Sequence, residues 1–187
     1  MNRIDPDGRD IIVLNSPSGA NFSGRNYGHM AMLVGNDVSG WTYISKDGRV
    51  DGETTLSNNV ITGGPSEPKI ISAEKDENLK TLDAFDKSEL GQGYTERVRF
   101  ATDKKQDDAA IEVSKTSVKS KYHGIFSNCA DAVSDGLKAA GLDPGYSRLL
   151  MPMGARIEFL FPSPNARFKV MSPLRKVPLD IPQHILT

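Results

Sequence analysis

Apolar and polar residues change their spacing along the chain, and the first part is dominated by short, strand-like runs. Two apolar runs, residues 30–34 and the aromatic-rich residues 41–44, flank a turn-rich segment at residues 35–40. Such a pair of runs around an Asn/Asp/Gly loop predicts a β-hairpin. Residues 94–101 alternate polar and apolar side chains, as a half-buried strand does. Further strands are predicted at residues 11–14, 70–72 and 168–171, and the Ser/Gly/Asn-rich segment 15–27 is predicted to be a loop.

Helical spacing governs the segment that follows Ser127 and Asn128, both of which are favourable N-cap residues. Apolar residues recur behind them at helical spacing, and Gly141 supplies a stop. A second helix is predicted at residues 106–118, packed beside the first, and a short amphipathic helix ends near Gly91. The apolar positions of the helix after Asn128 are Ala130, Val133, Leu137 and Ala140.

The only cysteine of the chain, Cys129, falls in the first turn of this predicted helix. Unpaired backbone N–H groups and the positive end of the helix dipole lie there, and both favour a thiolate over a thiol. A cysteine in this position is prepared for nucleophilic attack if a base reaches it. The alternative is a small buried hydrophobe, since free cysteine is among the most buried residue types.

The candidate base is His29, which lies at the start of the predicted hairpin. Pairing the two strands around their loop places His29 near Ser45, with Lys46 and Asp47 beside it. A polar side chain of the second strand then takes the position of a third catalytic group, which holds the imidazole in one tautomer. A surface histidine at a strand end is the structural alternative.

The other two histidines fit the role of the base less well. His123 lies in the loop just before Cys129 and would have to fold back to reach it, so a structural or rim role is expected. His184 lies in a Pro-rich tail. Because the histidines are scattered and there is one cysteine, the chain is expected to hold no zinc site, no other metal and no organic cofactor.

Three segments together resemble a circularly permuted papain-like hydrolase: GHMAMLVGND (28–37), GWTYISKDG (40–48) and YHGIFSNCADAVSDGLKAAG (122–141). Their order is similar to that of permuted members of the NlpC-type cell-wall peptidase superfamily and of the lecithin:retinol acyltransferase group. The resemblance implies an α+β fold, with an antiparallel sheet packed against the helix that carries the nucleophilic cysteine. It assigns Cys129 as nucleophile, His29 as general base and Ser45 as the third polar residue. Such relatives often have His, Asn or Gln at that third place, so Asp47 remains an alternative to Ser45.

The segment NRIDPDGRD (2–10) is similar to the DPxGR-type segment that closes the core of Rhs repeat proteins, immediately before their variable C-terminal toxin domains. Asp-Pro-Asp-Gly is also a turn by itself. The resemblance implies that residues 1–10 are the remnant of an Rhs core end and that residues 11–187 form a single catalytic toxin domain of a far longer polypeptide. It further implies delivery into a target cell as cargo of that polypeptide, and a cognate immunity protein that plugs the cleft.

Composition narrows the classes of partner. A length of 187 residues suits one domain with one sizeable core. A net charge of −1 with 25% charged residues gives no electrostatic footprint for nucleic acid. The chain has no apolar run long enough to span a membrane, and its start has no apolar signal region. Nucleic-acid binding, an integral membrane segment and a cleaved signal peptide are therefore not expected.

The function expected from these residues is thiol hydrolysis. His29 takes the proton of Cys129, the thiolate attacks an amide or ester carbonyl, and water releases the acyl-enzyme. The oxyanion would meet the backbone N–H of Cys129 and a group near Asn128 or in the loop before His29. The substrate stays open between a peptidoglycan stem peptide, a lipid ester and a protein amide. A binding module with a cysteine-hydrolase-like fold and no turnover is the alternative from another class.

A surface segment and an apolar cluster each have two interpretations, one as part of the site's border and one as ordinary structure. Residues 49–68 are turn-rich and interrupted by Pro68, so they form either a substrate-facing flap or a tolerated insertion. Residues 155–161 are predicted to form a short helix or strand. An apolar cluster in the C-terminal region is expected to be core, with the wall of an acyl or peptide groove as the alternative. Its members are Met151, Met153, Phe159, Leu160 and Phe161.

Overall fold

The computed structural model describes residues 8–22, 25–48, 64–123, 127–145 and 163–174. Within them the strands are β1 (Arg9–Ser16), β2 (Asn21–Phe22), β3 (Arg25–Asn26), β4 (His29–Asn36), β5 (Gly40–Gly48), β6 (Ser66–Ser72) and β7 (Glu96–Thr102). Five of these strands form one antiparallel sheet in the order β6-β5-β4-β1-β7. β2 and β3 pair separately as a two-stranded ribbon.

The α-helices of the described residues are α1 (Leu82–Lys87), α2 (Lys104–Lys119), α3 (Cys129–Ala139) and α4 (Pro164–Leu174), and a 3₁₀ turn, Glu77–Leu79, precedes α1. α2 begins with a capping box between Asp103 and Gln106, which satisfies backbone N–H groups at its start. Gly141 follows the C-cap residue of α3, and its φ of 73° is the left-handed conformation typical of a helix stop. No described helix combines the length and the apolar character that crossing a membrane requires.

Side chains alternate between the two faces of the sheet, and each face has its own apolar core. Helices α2, α3 and α4 cover one face, whereas α1 and the 3₁₀ turn cover the other. Burial of each larger side chain stabilises the fold by roughly 1.5–3 kcal/mol. A one-residue slip in strand register would move side chains to the wrong face and so disrupt both cores. The sheet contributes Ile11, Val13, Met30, Met32, Val34 and Ile44 to the first core, and Ile12, Leu14, Ala31, Leu33, Trp41 and Tyr43 to the second.

The prediction of an α+β chain with an antiparallel sheet is confirmed. The hairpin is present, because β4 ends at Asn36, β5 begins at Gly40 and the two strands pair. The strands predicted at residues 11–14 and 70–72 form the centre of β1 and the end of β6. The helix predicted at residues 106–118 lies within α2, which packs against α3 as expected.

Three local predictions are wrong. Residues 168–171, predicted as a strand, lie in α4, where Phe168 and Met171 are three positions apart and face the core together. Pro164 begins this helix, a position that needs no backbone N–H. Pro68 does not interrupt regular structure, because it lies in β6 at the edge of the sheet, where a proline is tolerated. The loop predicted at residues 15–27 contains the β2–β3 ribbon.

The expected boundary between residues 10 and 11 falls inside β1. Arg9 begins the strand, and its guanidinium lies 3.0 Å from the buried carboxylate of Asp107 on α2. Asp10 is also buried and is paired with Arg99 of β7. Predictions for residues 1–7, most of the 49–68 excursion, residues 155–161, the apolar cluster around Met151 and Phe159, and His184 fall outside the described residues.

Replacement of Gly136 by alanine is expected to destabilise the fold. A Cβ atom there would lie 2.4 Å from Ser114 Oγ on α2 and 2.7 Å from Met32 Cε on β4. The strain of overpacking, about 1–3 kcal/mol, exceeds the gain of about 1 kcal/mol that alanine brings to a helix. Chemical denaturation should therefore show a net loss of up to about 2 kcal/mol in unfolding free energy.

The matched control is Gly93→Ala, whose Cβ would meet only Ser16 Oγ at an ordinary 3.7 Å. It should leave the unfolding free energy nearly unchanged. Equal stability of the Gly136→Ala variant and the parent would contradict close packing between α3, α2 and the sheet.

Candidate active site

Cys129 is the first residue of α3, and the cap of that helix fixes its position. The Asn128 side chain accepts hydrogen bonds from the backbone N–H groups of Ala130 and Asp131, at 2.9 and 3.3 Å. The Asp131 carboxylate accepts one from the Asn128 N–H in return, at 2.9 Å. The sulfur is almost fully buried and accepts a hydrogen bond from the backbone N–H of Met30 on β4, at 3.4 Å. Helix cap and sheet together therefore hold the thiol against the start of β4.

His29 is the first residue of β4, and its ring lies between the sulfur and the second strand of the hairpin. Its Nε2 is 2.9 Å from Ser45 Oγ and 3.1 Å from Asp47 Oδ1. Cys129 lies close enough to the imidazole to raise the pKa of His29, and its sulfur contacts the backbone N–H of the next residue, Met30. The structure thus places Cys129, His29 and Ser45 near one another, and Asp47, which the sequence offered as the alternative to Ser45, contacts the ring as well.

Strand register explains why both Ser45 and Asp47 reach the ring. Ala31 pairs with Ser45 in the β4–β5 ladder, and extending that register by two residues places Asp47 opposite His29. Ser45 is then the diagonal neighbour on the same face. The Ser45 hydroxyl donates to Asp47 Oδ1 at 2.7 Å, so serine and aspartate act as one acceptor group rather than as alternatives.

Charges around the ring favour an ionised pair. Burial alone raises the pKa of Asp47, but hydrogen bonds from His29 and Lys69 outweigh it and hold the pKa below its ordinary value. Lys69 Nζ lies 2.7 Å from Asp47 Oδ2. Burial alone lowers the pKa of His29, but the negative charges of Cys129 and Asp47 raise it to about 10. The arrangement therefore favours the protonated form of the His29 imidazole at neutral pH.

Two tyrosines line the side of the imidazole away from the helix. The ring of Tyr94 lies 6.2 Å from that of His29, and its hydroxyl is 2.8 Å from the hydroxyl of Tyr43. Burial raises the pKa of both tyrosines, so both hydroxyls stay neutral at physiological pH. They form an uncharged wall that shields one side of the imidazole from water.

Asn165 of α4 holds the backbone that leads into His29. Its side chain donates to the carbonyl of Pro17 at 2.9 Å, and its backbone N–H donates to the carbonyl of Tyr27 at 3.0 Å. Gly28 has a φ of 80°, and a Cβ there would lie 2.0 Å from Asn165 Oδ1. Only glycine permits this close approach, so α4 fixes the direction in which β4 begins.

Sequence reasoning missed Lys69 and Asn165, both of which support the site from a distance along the chain. Lys69 lies opposite Ser45 in the β5–β6 ladder, so a correct register for the edge strand would have pointed to it. No local pattern marks Asn165, because its partners precede it by well over a hundred residues.

His123, the other histidine in the part of the chain that the structure describes, is not the histidine next to the sulfur. His123 pairs its backbone with Ser127 in a short bridge, at 2.8 and 2.9 Å, whereas the histidine whose pKa Cys129 raises is His29. Within the described ranges, no group of three or more His, Cys, Asp or Glu residues has the arrangement of a metal site.

Comparison of the chain with protein-family models, with curated protein sequences and with solved structures gives no match. The chemistry of the site therefore has to be inferred from its own geometry.

Replacement of Cys129 by alanine is expected to lower the pKa of His29 from about 10 by about one unit or more. Burial lowers this pKa, and without the cysteine only Asp47 is left to raise it. Titration of the imidazole Cε1–H by NMR measures this shift. Asp47→Asn is the matched comparison, since it removes the other raising charge, and it should shift the pKa of His29 in the same direction. A pKa of His29 that is unchanged in both variants would contradict the contacts described here.

Proposed function

We propose that this chain is a cysteine hydrolase that cleaves an amide or ester bond through an acyl-enzyme. The observation that carries the proposal is the continuous series of contacts from Cys129 through His29 to Ser45 and Asp47. A nucleophile, a base and an orienting acceptor in contact are the parts that covalent catalysis needs.

In the first half-reaction the Cys129 thiolate attacks the carbonyl carbon, and the carbonyl π electrons move to oxygen. Collapse of this intermediate breaks the bond to the leaving group, which takes its proton from the His29 imidazolium. In the second half-reaction His29 takes a proton from water, and the resulting hydroxide attacks the thioester. The thiolate leaves, and a carboxylic acid is released.

The oxyanion of both intermediates has a donor available at the start of α3. In the part of the chain that the structure describes, no protein acceptor is bonded to the backbone N–H of Cys129. The neighbouring N–H of Asn128 is already used by Asp131, so it is not a second donor. The Cys129 N–H, aided by the positive end of the helix dipole, is our candidate for the oxyanion donor.

The biological setting that we propose is an antibacterial-type toxin domain of permuted papain-like type, carried at the end of an Rhs repeat protein. Its support is the order of the site residues, histidine hairpin before cysteine helix, together with the NRIDPDGRD segment. A peptidoglycan stem-peptide amide is the proposed substrate. A lipid ester is the second candidate, because it would use the same first half-reaction. A cognate immunity protein belongs to the same proposal.

Cys129→Ala and His29→Ala are each expected to abolish hydrolysis, and growth inhibition on expression in bacteria, while leaving the fold intact. His123→Ala is the matched control, because it removes the other described imidazole and should retain activity. Purified sacculi and phospholipid vesicles, assayed for new amines and for free fatty acids, separate the two substrate classes. Full toxicity of Cys129→Ala would refute the mechanism, and wild-type toxicity without turnover of any substrate would favour the binding module.

Asp47→Asn is expected to reduce kcat/KM more than Ser45→Ala does. Asp47 is ionised, is fixed by Lys69 and contacts His29 directly, whereas Ser45 is a neutral partner of both. A loss of about 100-fold for the aspartate variant and about tenfold for the serine variant is the expected order. Steady-state kinetics on the identified substrate measures both, and a larger loss for Ser45→Ala would reverse the roles assigned here.

A further inference from the structure

Lys46 is a buried lysine for which the hydrolytic mechanism above has no use. Its side chain is only 1% exposed, and it lies on the face of β5 that α3 covers. The ammonium donates to Ser127 Oγ at 2.6 Å and to Ser120 Oγ at 2.7 Å. Among the described residues, no carboxylate lies within ion-pair distance of it.

Burial of an ammonium is costly unless a negative charge compensates it. The nearby negative groups are Asp131, Asp135 and Cys129. Asp131 is already paired with Arg167, and Asp135 accepts a hydrogen bond from Ser117 at 2.8 Å. Burial lowers the pKa of Lys46, and these three groups act against that change. The sulfur is the one of the three that becomes an anion as part of the chemistry.

The position of Lys46 in β5 links it to both halves of the site. Ser45 and Asp47 project to one face of the strand and contact His29, while Lys46 between them projects to the other. There it contacts Ser127, two residues before the nucleophile. Three consecutive residues of one strand therefore hold the base on one side and the segment that carries the nucleophile on the other.

We propose that Lys46 is a positioning residue of the cysteine site: its ammonium fixes Ser127 at the start of α3, and its charge favours the ionised sulfur. The inference rests on the proposed function, because it concerns the same thiolate. Lys46 is then a second cation of the site. It lies on the α3 side of β5, whereas His29, which transfers the proton, contacts the opposite side of that strand.

The titratable and charged groups that face this pair come from several elements. They are His29 on β4, Asp47 on β5, Tyr94 and Tyr122 in connecting segments, and Asp131 and Asp135 on α3. A substitution at Lys46 leaves these groups in place. A shift in the pH dependence of Cys129 reactivity therefore reports the loss of the ammonium.

The test is the pH profile of Cys129 alkylation by iodoacetamide, which is specific because the chain has one cysteine. Lys46→Met keeps the length of the side chain and removes its charge. The midpoint of the profile is expected to rise by about one pH unit, with an alkylation rate at pH 6 that is about tenfold lower. Lys87→Met, which removes an exposed lysine paired with Asp83, is the control and should leave the profile unchanged.

A second measurement serves if Lys46→Met does not fold. Electrostatic coupling is reciprocal, so the NMR titration of the ¹³Cε-labelled Lys46 side chain should move to lower pH in Cys129→Ala than in the wild type. A folded Lys46→Met variant with an unshifted alkylation midpoint, or a Lys46 titration that is the same in both proteins, would overturn the inference. Ordinary thiol reactivity in the wild type would instead count against the proposed function itself.

Discussion

The contact between the start of α3 and the start of β4 is the interaction on which the site depends. One backbone N–H, that of Met30, meets the sulfur of Cys129 at 3.4 Å, and the neighbouring imidazole meets the same sulfur. Neither helix cap nor strand alone creates this meeting. It requires α3 to lie on the sheet at a fixed height, which the close approach of Gly136 to Met32 and Ser114 sets. Packing in the apolar core thus determines the geometry at the sulfur and the imidazole.

Electrostatics at this contact is strong because water is largely excluded. The sulfur is buried, the histidine side chain is 20% exposed, and two neutral tyrosines cover one side of its ring. A charge in such surroundings interacts over longer distances than one at the surface. The cations and the anion here follow one another from Lys69 to Asp47 to His29, so each charge is next to one of opposite sign. That alternation allows several ionised groups to share a small volume.

The sequence was informative wherever a feature is local. The hairpin follows from its loop chemistry, the cysteine helix follows from its cap and apolar spacing, and register within the hairpin pointed to Ser45 and Asp47. Period-two alternation also indicates where Lys46 lies: it is two positions from Ile44 in β5, so it belongs to the face that α3 buries.

The features that the sequence did not reveal depend on contacts between distant segments. α4 reads locally as a strand between prolines, and its helical form is supported by packing of Phe168 and Met171 on the sheet. Asn165 has a role only because α4 folds back onto the loop before His29. Pro68 is tolerated because β6 is an edge strand, which is a property of the whole sheet and not of its neighbours in sequence.

The distances along the chain between the parts of the site have a consequence for synthesis. Met30 and Cys129 are 99 positions apart, and Asn15 and Asn165 are 150 apart. A nascent chain that has emerged from the ribosome only as far as α2 has the imidazole, the serine and the aspartate but no thiol. Cys129 joins them only once α3 has been made, and the support from α4 comes later still. The contact between the sulfur and the start of β4 therefore cannot guide the early folding of the hairpin; it forms only after α3 has docked on the sheet.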